Sequence, residues 1–141
     1  MSIRWTIAVG TALLSLAGRP FPARAVTGAP FDFTGHWTGV GRETGAPDAA
    51  LTADFVTGDH PRLFVGTLTS EQSPDPPLAC SVKGKLKGVQ NVKIHLSCSG
   101  ATIKAHGVLD ATARSVAGTF TRHGRHRVHH GTFTLTEQPP V

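Results

Sequence analysis

Tyrosine is absent from the 141 residues, methionine occurs once and cysteine twice. Each shortage removes a class of function. Two cysteines without a C-x-x-C spacing cannot build a structural zinc site unless histidines help. Neither G-x-S-x-G nor H-E-x-x-H occurs, so the serine-hydrolase elbow and the zincin helix are both missing. The few acidic residues are scattered, mostly through the first half, and offer no carboxylate pair for acid and base work. The expectation is a non-catalytic protein with no cofactor and no metal. Also lacking is any apolar run long enough to cross a bilayer: the longest, Trp5 to Gly18, falls short of the roughly 20 residues a helix needs.

That one run has a different meaning. Arg4 precedes it, Arg19-Pro20 and Pro22 end it, and Ala23-Arg24-Ala25 puts small residues at the two positions a signal peptidase reads. Residues 1–25 are therefore expected to be a cleaved secretory signal and residues 26–141 one domain, exported to the periplasm or beyond, with no membrane span left after cleavage. Arg4, Arg19 and Arg24 leave with the signal, which lowers the net charge from +5 to +2, so whole-chain basicity says nothing of nucleic acid. An asymmetry remains. Residues 26–75 hold two basic and seven acidic side chains, residues 76–141 nine basic and two acidic, a field able to steer a charged partner.

No window of residues 26–141 carries a 3.6-residue apolar period, and period 2 recurs instead. Leu78, Cys80, Val82, Gly84 and Leu86 alternate with polar neighbours, and Val92, Ile94, Leu96 and Cys98 do the same. A hairpin around Gly88-Val89-Gln90 sets Leu86 against Val92, Val82 against Leu96 and Cys80 against Cys98, both cysteines on the apolar face. Directly opposed side chains are close enough to bridge, and an oxidising compartment favours the bond, so Cys80–Cys98 is expected as a disulfide. Ser99-Gly100 is a two-residue hairpin loop that sets Leu96 against Ile103 and Ile94 against Ala105. Further along, Gly107 meets Gly118, Ala105 meets Phe120, and Phe120 opposes Phe133 across the loop 124–129. Upstream, the turn 57–61 aligns Phe55 with Phe64 and Leu51 with Leu68.

Eight strands follow: 32–42, 50–56, 62–70, 78–87, 91–98, 101–109, 115–122 and 130–137, with the proline-rich stretch 73–77 a loop. An all-β, single antiparallel eight-stranded up-and-down barrel removes its edges by closing on itself; a two-sheet β-sandwich is the alternative.

Phe33-Thr34-Gly35-His36-Trp37-Thr38-Gly39 at the first strand resembles the G-x-W start of the calycins (lipocalins, fatty-acid-binding proteins and avidins), and the Gly-Thr-x texture at Gly66, Gly118 and Gly131 is similar to that of avidins. The resemblance implies a barrel with Trp37 plugging one end, although the basic residue that covers such a tryptophan from the last strand has no match between Gly131 and Val141. Biotin binding is not implied, because residues 26–141 hold one tryptophan and no tyrosine. Periplasmic metalloprotease inhibitors share the architecture, without a motif to match here.

Three surfaces are candidates for function. The inward glycines leave room for a small apolar ligand, but an eight-stranded barrel is just wide enough to be filled by its own side chains, and Phe33, Trp37, Phe55, Phe64, Phe120 and Phe133 are expected to pack it. His123, His126, His129 and His130 invite a metal, yet Arg122, Arg125 and Arg127 are interleaved with them and no acid lies in the segment, which reads as a solvated basic loop. On the outer faces of strands four to six, Lys83, Lys85 and Lys87 lie beside Lys93 and His95, which lie beside Lys104 and His106. Like charges opposed across strands cost stability, so this wall is the first choice for binding an anionic partner: a glycan, lipopolysaccharide or an acidic protein. Nucleic acid is excluded, since no aromatic side chain stands among the lysines to stack a base.

The mature chain is expected to begin at Val26 and to hold no free thiol. Intact-mass measurement of exported material with thiol labelling checks both; a retained Met1 or a labelled Cys80 contradicts them.

Overall fold

Apolar side chains at every second position turn eight segments of the chain into strands with one buried face. The structure, a computed structural model, describes residues 30–73, 75–124 and 126–139. The expected signal, residues 1–25, and the cleavage point at Val26 lie outside the described residues. The strands are β1 (Gly35–Glu43), β2 (Ala49–Thr57), β3 (Leu63–Glu71), β4 (Leu78–Lys87), β5 (Asn91–Cys98), β6 (Ala101–Asp110), β7 (Ser115–His123) and β8 (Val128–Glu137). Each pairs antiparallel with the next, and β1 also pairs with β8, so the sheet closes into an up-and-down barrel. The sandwich alternative is excluded by that closure.

The three central hairpins have the register expected from their turns. Cys80 faces Cys98, Val82 faces Leu96, Leu96 faces Ile103, and Gly107 faces Gly118. The opposed cysteines form the disulfide, with 4.2 Å between their Cα atoms, a separation that suits a directly facing antiparallel pair.

Two flanking hairpins are shifted by two residues from the expectation. Phe55 faces Gly66 rather than Phe64, and Leu51 faces Ser70 rather than Leu68. Phe120 faces Gly131 rather than Phe133, which faces Gly118. The reason is volume. Four inward phenylalanines each stand opposite a glycine, the pairs being Phe55 with Gly66, Phe64 with Gly84, Phe120 with Gly131 and Phe133 with Gly118. The Phe64 ring lies over Gly84, where a Cβ would sit 2.0 Å from it, and the Phe120 ring leaves only 2.5 Å above Gly131. Two opposed rings would compete for the same space inside so narrow a barrel.

The disulfide holds the register of β4 and β5 and closes a loop spanned by a sequence separation of 18. Cross-linking a loop of this length stabilises by about 3 kcal/mol through the unfolded chain. Replacing Cys80 and Cys98 together by Ala should lower the melting temperature by about 10 °C or more; a thermal scan showing a shift of only a degree or two would contradict this.

Candidate binding site

The interior is divided along its length. At the end where β1 begins, Trp37 is fully buried and its indole N–H donates to the Phe33 carbonyl at 2.9 Å. Phe33 stacks on Phe64 with ring centroids 4.3 Å apart, and Phe55 lies 5.0 Å from Phe64 and 6.0 Å from Trp37. These rings pack together in the lower half. From the β6–β7 turn, the Arg114 guanidinium sits 4.4 Å above the Phe31 ring and donates to the carboxylate of Glu137 and to the Asp32 carbonyl. Arg114 adopts a left-handed φ of 53° to do so. Beside it, the Asp32 carboxyl is held below its ordinary pKa, chiefly by the backbone N–H of Thr34, which donates to it at 2.9 Å.

The upper half is not packed, which corrects the expectation of a filled barrel. Trp37, Phe33, Phe55 and Phe64 gather at the closed end, and Phe120 and Phe133 line walls rather than fill space. They surround a cavity of about 260 Å³, together with Leu51, Leu96, Leu135 and the side chain of Cys80. The volume falls just under the roughly 300 Å³ at which pockets for drug-sized ligands begin. The cavity opens between the β1–β2 and β3–β4 loops, which the Gln72 side-chain amide ties together by donating to the Pro47 carbonyl.

Besides Asp75 of the β3–β4 loop, three charged or chargeable side chains meet at this mouth. Glu43 ends the inward row of β1, Arg122 that of β7, and His129 begins that of β8 directly across from Arg122. Arg122 donates from Nε and Nη2 to the two Glu43 oxygens at 3.0 and 2.9 Å, and His129 Nδ1 lies 3.2 Å from Glu43 Oε2. The side chains are 15 % exposed for Glu43, 31 % for Arg122 and 29 % for His129. The hydrogen bonds from Arg122 hold the Glu43 carboxyl below its ordinary pKa, against the opposing effect of its burial. Arg122 and His129 are thus not members of a solvated loop. The acid that the loop itself does not contain arrives from β1 through barrel closure, and the phase of each strand, followed to its last residue, is the signal that finds it. His123, His126 and His130 remain exposed and are not drawn to that trio. Among the described residues no group of three metal-ligating side chains forms.

The outer wall is assembled as its registers demand. Lys83 faces His95, which faces Lys104; Lys85 faces Lys93, which faces His106. All six, and Lys87 beyond them, are exposed, and none takes part in an ion pair among the described residues.

Because its folded pKa is lowered, Glu43 contributes stability above its unfolded pKa, near 4.3, and that contribution is lost as the pH falls through the lower folded value. Glu43→Gln should cost about 1–2 kcal/mol at pH 7, a charged hydrogen bond at a partly exposed site. Denaturant titrations from pH 7 to pH 2 should show the gap to the parent shrinking from about pH 4 downward; a gap constant across that range contradicts the assignment.

No family model matches the chain, and no curated protein sequence does. Solved structures share the fold. EF1p2_mFAP2b bound to DFHBI is 12% identical over 75% of this chain and 94% of that one, with a TM-score of 0.67. A redesigned β-barrel is 16% identical over 82% of this chain and 96% of that one, with a TM-score of 0.62. At such identities the likeness is one of fold: the chain is built as the small eight-stranded barrels are.

Proposed function

We propose that this chain is an exported, non-catalytic binding barrel that takes one small, largely apolar ligand into the open half of its interior. The observation that carries the reading is the unfilled upper half. A barrel of this circumference has side chains enough to fill itself, and here the aromatic rings are concentrated at one end instead, leaving an apolar cavity open at the other. The similar barrel bound to DFHBI supports it by analogy of architecture. The disulfide fits a protein that folds in an oxidising compartment. A binding role for the mouth pair, rather than a catalytic one, is supported by its state: the Glu43 carboxylate already accepts from Arg122 and faces His129, so it is not poised as a free base.

A second reading, in which the outer wall meets an anionic surface or protein, is favoured by Lys85 lying directly against Lys93 with no acid in either row. A patch kept at the cost of mutual repulsion suits a partner that relieves it. The two readings place the partner on opposite sides of the sheet, so they separate cleanly.

An apolar fluorescent probe should bind with an affinity indifferent to salt if the cavity is the site, whereas retention on an anionic matrix should vanish at high ionic strength if the wall is. Changing Lys85, Lys93 and Lys104 together to Gln should abolish matrix retention, leave probe binding intact and spare or slightly raise stability. Absence of probe binding by the folded parent overturns the cavity reading; matrix retention by the triple variant equal to the parent's at low salt overturns the wall.

A further inference from the structure

The cavity is apolar everywhere except at its mouth, and the mouth carries a specific asymmetry of hydrogen-bonding capacity. A guanidinium has five N–H donors. Arg122 spends Nε and one donor of Nη2 on Glu43, and among the described residues no acceptor meets the others. Glu43 is the reverse case: its two oxygens accept from Arg122, and Oε2 also faces His129. Arg122 and Glu43 both line the cavity. A ligand entering this mouth therefore meets surplus donors, fixed in orientation by the bidentate pair and only about a third exposed to water.

The charge of the mouth then narrows the class of ligand. Glu43 cancels the charge of Arg122, and Asp75, which also lines the cavity from the β3–β4 loop, adds a second negative charge. An anionic head would bring a third carboxylate beside these two without a free cation in the lining to meet it. A neutral acceptor suffers no such repulsion and satisfies the idle donors. We infer that the cavity is selective for neutral amphiphiles, molecules with a short apolar body and an uncharged acceptor head such as a ketone, ester or amide carbonyl, and that Arg122, held by Glu43, is the residue that recognises the head. This rests on the cavity being the binding site.

Three probes of equal chain length separate the possibilities at pH 7: a medium-chain methyl ketone, the matching alkane and the matching fatty-acid anion, each titrated against a bound apolar fluorophore on the full mature protein. The ketone should bind about tenfold tighter than the alkane, the value of one good hydrogen bond to a charged donor, and at least tenfold tighter than the anion. Arg122→Met should bring the ratio of ketone to alkane affinity close to one. Since that variant leaves Glu43 unpaired at a largely buried site, Glu43→Gln/Arg122→Met serves as a second variant without an unpaired charge, and it should show the same loss of ratio. Tighter binding of the anion than of the ketone overturns the inference, as does a ratio unchanged in both variants. Failure of all three probes to bind the folded parent is a different result: it removes the cavity reading, and this assignment with it.

Discussion

The aromatic cluster around Trp37 is the constraint on which the rest of the molecule depends. Eight strands enclose a fixed cross-section, and Phe33, Phe55, Phe64 and Trp37 pack against one another across it at one level. They reach that packing because Gly84 yields its side-chain space to Phe64. Once the large rings are placed at the closed end, the levels above are left with leucine, isoleucine, alanine and two phenylalanines, which line the cavity. Plug and cavity are thus two results of a single distribution of volume.

Each end of the lumen is finished by the same chemical device. An arginine on β7 or the turn before it pairs with a glutamate at an inward position of an end strand: Arg114 with Glu137 below, Arg122 with Glu43 above. Below, the pair lies over packed rings and seals them. Above, it rims an empty space, and its spare donors become available. The same kind of pair thus covers packed rings at one end and borders an open cavity at the other.

Much of this architecture was legible in the sequence, and the limits have physical causes. Strand existence, the barrel, the disulfide and the three central registers follow from period-2 alternation joined by short turns of defined length. The β2–β3 and β7–β8 registers were not legible from alternation, because a shift of two residues keeps every side chain on its own face; what decides between the two is ring against glycine, a volume relation that pairing aromatic with aromatic gets backwards. The outer wall was legible because it lies on the three well-determined hairpins. The mouth was not, because Glu43 lies far along the chain from Arg122 and His129 and meets them only when β1 and β8 join. Reading the histidines and arginines of 122–130 as one basic loop overlooked that every second residue in the last part of β7 and the first part of β8 still points inward.

That joint has a consequence for how the molecule comes to exist. Seven of the eight strand pairings connect neighbours in sequence, so they form with short loops to close, in the manner of fast-folding local topologies. The eighth, β1 with β8, spans nearly the whole domain and must wait until the last strand has emerged. Until then the partly built sheet carries two open edges, one of them the glycine-rich β1, and such edges are where other chains pair and aggregate. Phe31 and Phe33, just ahead of β1, and Glu137, at the last residue of β8, both enter the closed-end cluster. The two ends of the domain therefore lock together in one terminal event, and a domain cut back into β1 or β8 would lose closure rather than merely a strand.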